Sequence, residues 1–159
     1  MSEDKLMADL QIPGLELEYA FSVTMNFAER IDFVGPRGGK GYVPPATGVI
    51  YGPMLSGRVV PYSGADYAIF KDLSEGIKVN THYMLETDDG HWIYINNRGY
   101  LHRSPDPDNP GQTKLYFRFT PFFEAPNGPY EWMSRTMIVG TGERLTNPDR
   151  SQFTYYRVL

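Results

Sequence analysis

The sequence predicts an all-β fold, a single antiparallel β-barrel of about eight strands, and three observations favour it. Every odd position from Leu15 to Phe27 is apolar, while nearly every even position is polar or small. That alternation is typical of a strand with one buried face. Turn-forming residues recur at hairpin spacing along the rest of the chain. No stretch of about eleven residues has convincing helical periodicity, so the strands are expected to form a meander that closes into a barrel or sandwich.

Turn signals divide the remaining chain into short segments rich in β-branched and aromatic residues. The chain contains 16 glycines and 13 prolines, and 14% of its residues are aromatic, which suits strands joined by many turns. Eight breakers between residues 35 and 48 predict no regular element there, but either a flap beside a pocket or an irregular loop. Residues 104–111 are expected to form an exposed loop. The predicted strands are 15–27, 49–60, 66–71, 77–87, 91–100, 114–123, 131–140 and 151–158.

Length and charge limit the class of protein. A chain of 159 residues is expected to form one domain, residues 1–159, with a core at about 15–158. The net charge of −4 and the lack of a basic run argue against nucleic acid as a partner. The absence of cysteine excludes disulfides and thiolate metal sites. With no apolar leader and no apolar run of about 18 residues, the sequence predicts a cytoplasmic protein outside the membrane.

Three stretches of the sequence carry a family resemblance. They are GRVVP before GADY at residues 57–67, YMLETDDG before NRG at 83–99, and YFRFTPFFE before YEW at 116–132. Together they resemble the domain-of-unknown-function family DUF3237, also called UPF0311. The resemblance implies a small barrel akin to the allene oxide cyclase and dirigent barrels, commonly a homo-oligomer and without an agreed activity. Where the family pattern has an Asp-x-Arg pair, this chain has Asn80-Thr81-His82.

Asp66 is the first candidate for chemistry. It follows Gly64-Ala65 at the start of a predicted strand, where a carboxylate can point across the mouth of a barrel. In that position it can serve as a general base or as a substrate anchor. The alternative is structural, because Asp in a turn often bonds the backbone of its own turn.

The Asp88-Asp89-Gly90 turn decides which residues share a strand face. A three-residue loop with Gly90 in the left-handed region is favoured, because it gathers the apolar residues on one face. A two-residue Asp89-Gly90 turn would pair the strands differently. The polar face of the favoured register can line a cavity, or it can be the solvated outside of the barrel. The favoured register places Glu86 opposite Trp92, Met84 opposite Tyr94, His82 opposite Asn96 and Asn80 opposite Arg98.

Arg118 and Trp132 are further candidates. Arg118 stands between Phe117 and Phe119 on a predicted strand, where it can bind an anionic group or pair with a carboxylate such as Asp66 or Glu124. A buried arginine needs some such partner. Trp132, with Tyr130, can form the wall for a planar ligand or simply fill the core.

The sequence contains no motif for metal binding, nucleotide phosphate binding or a serine triad. The three histidines show no metal-ligand spacing, so no metal site is expected. Residues 35–41 resemble a phosphate loop only in glycine content, since no lysine followed by Ser or Thr opens a helix. No Gly-x-Ser-x-Gly elbow is present, which gives a serine triad no support. The sequence therefore indicates no cofactor.

These residues favour a cofactor-independent enzyme that acts on a small aromatic or carbonyl-bearing metabolite in a barrel cavity. The chemistry would be acid–base, of isomerase, cyclase, hydratase or lyase type. The alternatives are a non-catalytic small-molecule binding barrel and an oligomeric module without a ligand. The candidate catalytic residues are Asp66, Glu86 and Arg118, with Arg118 stabilising negative charge. The candidate substrate-binding residues are His82, Tyr94, Arg98 and Trp132.

Overall fold

The structure, a computed structural model, describes residues 2–159 apart from the side chain of Leu6. It contains a short helix, α1 (Glu3–Ala8), and a 3₁₀ helix (Glu131–Ser134). No helix within residues 2–159 is long and apolar enough to cross a bilayer. The strands are β1 (Leu17–Phe27), β2 (Ile31–Gly35), β3 (Gly38–Tyr42), β4 (Pro45–Tyr51), β5 (Gly57–Val59), β6 (Ala65–Asp66), β7 (Ile69–Phe70), β8 (Ile77–Thr87), β9 (Trp92–Pro105), β10 (Thr113–Glu124), β11 (Ile138–Leu145) and β12 (Arg150–Val158).

Eight of the strands close into an antiparallel barrel, which confirms the predicted fold class. The order around the ring is β8, β5, β4, β1, β12, β11, β10 and β9, and the pairing of β8 with β9 completes it. The other four strands lie outside the ring. β6 and β7 pair with β8, and the β2–β3 hairpin extends the sheet from β7.

Alternating side chains fill the inside of the barrel. On β1, Phe21, Val23 and Met25 are at most 1% exposed, as the alternation in the sequence predicts. Val23 faces Phe153 on β12, and Phe21 stacks on Tyr155 with ring centroids 4.8 Å apart. Burial of such large side chains contributes about 1.5–3 kcal/mol each, so this interior holds the ring together.

The β8–β9 hairpin has the favoured register. Gly90 has φ 89°, in the left-handed region, and Thr87 N–H donates to His91 O at 2.8 Å across the three-residue loop. Glu86 pairs with Trp92 and His82 with Asn96, as predicted. The apolar face, with Leu85 and Ile93 among its residues, points into the barrel.

The prediction that residues 35–48 form no regular element is wrong, because they hold β3 and most of β4. At Gly39 in β3 a glycine is needed because a neighbouring side chain lies very close to the backbone. A Cβ on Gly39 would lie 2.0 Å from the Phe70 ring, so only glycine lets β3 lie against β7.

The predicted strand at 131–140 is wrong over residues 131–137, because β11 begins only at Ile138. Gly128, with φ 123°, turns the chain, and the 3₁₀ helix follows. Its Met133 is 2% exposed and belongs to the core cluster, so the helix closes one end of the barrel. Two other predicted strands, 49–60 and 66–71, are each interrupted and yield β4, β5, β6 and β7. Residues 106–112 form the exposed connection between β9 and β10, close to the predicted loop.

Candidate functional site

A cavity of about 240 Å³ lies inside the barrel at the end opposite the 3₁₀ helix. We call this the open end and the end with the 3₁₀ helix the closed end. Nine apolar and eight polar residues line the cavity. Its apolar walls include Met25, Phe27, Val43, Ile77, Val79, Leu101, Phe117 and Phe153. Its polar lining comprises Arg30, Asp66, Thr81, Tyr83, Asn97, Arg144, Asp149 and Ser151.

Asp66 enters this cavity from β6. Its backbone pairs with Val43, through N–H to O contacts of 2.9 Å in both directions, and this fixes the strand at the mouth. A Cβ on Gly64 would lie 1.7 Å from His82 O, so glycine allows the chain leading to Asp66 to lie against β8. Asn80 N–H donates to Asp66 Oδ1 at 3.0 Å. The carboxylate therefore bonds a neighbouring strand rather than its own turn.

Burial sets the acidity of Asp66. Removal from water disfavours the charged form and raises the pKa of this carboxyl, although the hydrogen bonds from Asn80 and Thr81 oppose the shift. Arg30 and Lys40 oppose it more weakly through their charge. A partly buried carboxyl whose pKa is raised at the wall of a cavity is a candidate acid–base group.

Two polar groups of the cavity lining lack partners. Asn97 Oδ1 and the Tyr83 hydroxyl are buried and make no hydrogen bond within residues 2–159. The Tyr155 hydroxyl is a polar neighbour of the Tyr83 hydroxyl, but the pair does not reach hydrogen-bond geometry. Desolvation raises the pKa of Tyr83, so its hydroxyl keeps its proton at neutral pH. Buried polar atoms of this kind are rare and call for an explanation such as a bound ligand.

The cations at the mouth of the cavity are already paired. Arg30 Nε lies 2.8 Å from Asp32 Oδ2, and Arg144 pairs with Asp149. Arg144 also donates to Ser151 Oγ at 2.7 Å. Asp66 is therefore the carboxylate of the cavity lining that forms no ion pair within residues 2–159.

Glu86 does not line the cavity that contains Asp66, so the expectation that both carboxylates act in one barrel cavity is wrong. Odd residues of β8 point into the barrel, which places Glu86 on the outer face. There Arg58 donates to Glu86 Oε2 through Nη2 at 2.6 Å. The register of the hairpin was predicted correctly, and the polar face is the outside of the barrel.

Arg118 also lies outside, because Phe117 and Phe119 on either side of it are buried in the interior. Its Nη1 donates to Thr141 Oγ1 at 2.8 Å and to Phe117 O at 3.0 Å. The alternative in which Arg118 pairs with Asp66 or Glu124 is not found among the ion pairs of residues 2–159. The guanidinium lies 5.5 Å from the centre of the Tyr116 ring.

Three of the four predicted substrate-binding residues form one network on the outer face. His82 Nδ1 lies 2.6 Å from the Tyr94 hydroxyl, and its Nε2 lies 3.0 Å from Asn96 Nδ2. Arg98 Nε donates to Asn96 Oδ1. His82 and Arg98 line a groove of about 1020 Å³ on the outer face, together with Arg118. The groove is separate from the cavity that holds Asp66.

Trp132 lies at the closed end, away from both the outer groove and the interior cavity. It packs against the core cluster, as Tyr130 does, and the Arg157 guanidinium lies 5.7 Å from the centre of its ring. The structure therefore supports core filling for this residue.

Thr81, Tyr83 and Asn97 were not predicted as site residues. All three lie on the hairpin face that was expected to be apolar, and Thr81 pairs directly with Asn97. The signal was present in the sequence, since the favoured register already places these two polar residues opposite each other on an apolar face. A polar pair on a face otherwise filled by core residues marks a cavity or a ligand.

Comparisons with known proteins agree with this fold. Residues 15–158 match the family model described as "Protein of unknown function (DUF3237)". The chain is 31% identical over 156 residues to UPF0311 protein RPA1785 of Rhodopseudomonas palustris, across 92% of this chain and 99% of the relative.

Two solved structures extend the comparison. A beta-barrel-like protein, ABAYE2633 from Acinetobacter baumannii, has a TM-score of 0.81 and 27% identity, over 94% of this chain and 99% of that one. A protein described as an enzyme from Penicillium herquei has a TM-score of 0.71 and 18% identity, over 94% and 98% of the two chains. At that identity the likeness concerns the fold alone. The match over residues 15–158 and the 31% identical relative show that this chain belongs to the DUF3237 family, whose curated members bear the name UPF0311.

Proposed function

We propose that the protein is a cofactor-independent enzyme that moves a proton on a small, mostly apolar metabolite inside the barrel. The observation that carries the proposal is the partly buried Asp66 carboxylate in a cavity whose lining residues Tyr83 and Asn97 each have a buried polar atom without a partner. A catalytic group whose pKa approaches the working pH is an effective acid and base. The likeness to a described enzyme supports this only by analogy of fold.

The cavity favours an aromatic or carbonyl-bearing substrate. Rings such as Phe117 and Phe153 form its walls, and a volume of about 240 Å³ limits the ligand to a small molecule. The Tyr83 hydroxyl, which retains its proton, can donate a hydrogen bond to a carbonyl oxygen. Its donor would then be satisfied by the ligand, which explains its lack of a partner in the protein.

The step we propose is proton transfer next to a carbonyl group. The Asp66 carboxylate takes a proton from a carbon that lies between a carbonyl group and a C=C bond. The C–H electron pair forms a new C=C bond, and the π pair of the carbonyl group moves onto its oxygen to give a dienolate. The Tyr83 hydroxyl stabilises that oxygen by hydrogen bonding. Asp66 then returns the proton to the carbon at the far end of the dienolate, so the C=C bond moves into conjugation with the carbonyl group and the net reaction is an isomerisation with no other reactant.

A second candidate function is a non-catalytic binding barrel that uses the same cavity. It is favoured by the lack of a second free carboxylate in the described lining to act as a catalytic partner. Asp149 pairs with Arg144, so Asp66 is the one carboxylate among the described lining residues that forms no ion pair. Unpartnered polar atoms would bind a ligand equally well without any chemistry.

Exchange of substrate protons with deuterium separates the two functions. The protein is incubated in D₂O with a panel of small aromatic ketones and 1,3-dicarbonyl compounds, and exchange is followed by proton NMR. We expect the protein to accelerate exchange of at least one compound, and Asp66→Asn to lower that rate by about 10²–10⁴-fold. Binding, measured as the ligand-induced rise in Tm, should persist in Asp66→Asn.

The matched control is Asp72→Asn, an equal change at an exposed turn outside the cavity, where the carboxylate accepts a hydrogen bond from Ser74 N–H. It should exchange protons at the unaltered rate. Undiminished exchange in Asp66→Asn would overturn the catalytic role. Binding by the unaltered protein without exchange of any compound would favour the binding barrel.

A further inference from the structure

The first residues of the chain form an arm that is exposed along its whole described length. Every described side chain from Ser2 to Glu16 is exposed. Four large apolar side chains of the arm are 57% to 82% exposed, which in a stable protein calls for a covering surface. They are Met7, Leu10, Ile12 and Leu15.

The arm is also acidic. It contains four acidic residues and one lysine, and therefore three of the four net negative charges of the chain. The acids are Glu3, Asp4, Asp9 and Glu16. An acidic segment with exposed apolar side chains fits a surface that is both cationic and aromatic.

The groove on the outer face of the barrel has that character. Lys78, Arg98 and Arg118 line it, and none of them forms an ion pair with a described residue. Its described lining contains no Asp or Glu. Aromatic and aliphatic side chains complete the groove, namely Leu17, Ile69, Tyr100, Tyr116, Val139 and Tyr156.

The arm leaves the barrel at the edge of this groove. Leu17, the first residue after the arm, lines the groove, and Glu16 O accepts a hydrogen bond from Leu159 N–H at 2.9 Å. The arm nevertheless stays exposed, so within one chain the arm and the groove are both left uncovered. A symmetric pair of chains can cover both at once if each arm crosses to the other chain.

We propose that the arm, residues 2–16, of one chain binds in the outer groove of a second copy, in a reciprocal exchange that holds a homodimer together. The acids of the arm meet the three unpaired cations, and its apolar side chains lie on the tyrosines of the groove. Most of the arm precedes residues 15–158, the region matched by the family model. The proposed exchange is independent of the interior cavity.

Charge exchange tests the proposal. The groove variant carries Arg98→Glu and Arg118→Glu, and the arm variant carries Glu3→Lys, Asp4→Lys and Asp9→Lys. Each is measured by light scattering at micromolar concentration, with circular dichroism as a check of folding. We expect the unaltered protein at twice the monomer mass of 18.1 kDa and each variant alone at the monomer mass.

An equimolar mixture of the two variants is the decisive sample. In the mixed pair each arm meets a groove of opposite charge, so the mixture should recover the dimer mass. The charge-matched control, Arg37→Glu with Lys71→Glu, changes two exposed cations outside the groove and should stay dimeric.

Three outcomes would overturn the proposal. The first is an unaltered protein at the monomer mass, and the second is a folded groove variant that remains dimeric. The third is a mixture of folded variants that stays monomeric, which would show that the opposite charges of arm and groove do not join two chains. Recovery in the mixture cannot arise from misfolding, because both variants must then fold and bind each other.

Discussion

At the two ends of the barrel, the pKa values of two carboxyl groups, Asp89 and Asp66, are shifted in opposite directions. At the closed end, Asp89 Oδ1 accepts hydrogen bonds from Thr87 Oγ1 at 2.6 Å and from the Tyr130 hydroxyl at 2.8 Å. These bonds, that from Thr87 first, lower the pKa of Asp89 to about 2. At the open end, burial raises the pKa of Asp66, and Asn97 Oδ1 has no partner among the described residues.

This difference assigns stability to one end and binding to the other. A carboxylate that is more acidic in the folded state stabilises the fold at neutral pH, whereas one that is harder to ionise destabilises it there. Unpartnered buried polar atoms do not separate the two ends, because His91 Nδ1 beside Asp89 also lacks a hydrogen bond to a described residue. Proteins commonly retain the cost of a carboxylate that is hard to ionise at functional sites, so the cavity around Asp66 is where we expect a ligand to bind.

The largest expected effect concerns packing at the closed end. Met133→Ala should lower the free energy of unfolding by about 2–5 kcal/mol, because it leaves a cavity under the 3₁₀ helix. Met137→Ala is the matched control, since Met137 is 68% exposed, and it should change stability by less than about 0.5 kcal/mol. Urea titration measures both. Equal small losses in the two variants would show that the helix does not seal the barrel.

A smaller effect is expected when the unpartnered amide at the open end is replaced. Asn97→Leu removes a buried oxygen that bonds nothing, so unfolding free energy should stay level or rise by up to about 1 kcal/mol. The same variant should lose the ligand-induced rise in Tm. A loss of about 2 kcal/mol or more in urea titration would mean that Asn97 Oδ1 is already bonded, and that the open end does not contain the unpartnered amide oxygen we describe.

The stabilisation that Asp89 contributes at the closed end should be lost at acidic pH. The pKa of Asp89 is lowered to about 2, so its stabilisation is present above about 4 and is lost as the pH falls through 2. Asp89→Asn should therefore melt at a lower temperature than the unaltered protein at pH 7, and the gap should narrow between pH 4 and pH 2. A difference in Tm between the two proteins that does not change with pH would contradict the hydrogen bonds from Thr87 and Tyr130 to Asp89.

The sequence was sufficient for the fold and for the strand register, because both depend on local signals. The alternation on β1 and the glycine in the Asp88-Asp89-Gly90 turn gave the barrel strands and the pairing of β8 with β9. The β2–β3 hairpin was missed because glycines were interpreted as breakers, whereas Gly39 lies in a strand against the Phe70 ring, a contact with a residue distant in the chain.

The candidate site was predicted only in part. Asp66 could be placed at the mouth of the barrel, since it follows Gly64-Ala65 where the sequence predicts the start of a strand. Glu86 and Arg118 were assigned to the same cavity because the hairpin face that points inward depends on how the whole ring closes. Register fixes which residues share a face, but closure decides which face is the interior.

The most direct test of the division between the two ends is the pH dependence of Asp66→Asn. Because the pKa of Asp66 is raised in the fold, the folded protein holds this proton more tightly than the unfolded chain. Stability from this group is therefore present below about 4 and is lost as the pH rises through the raised pKa. Asparagine does not titrate, so the variant escapes that loss.

The measurement is the unfolding free energy of the two proteins from pH 3 to pH 8. We predict that the stability of Asp66→Asn relative to the unaltered protein rises with pH across this range, opposite in sign to Asp89→Asn. A relative stability that falls with rising pH would show that the Asp66 carboxylate is stabilised by its surroundings, and would contradict the assignment of the open end as the binding site.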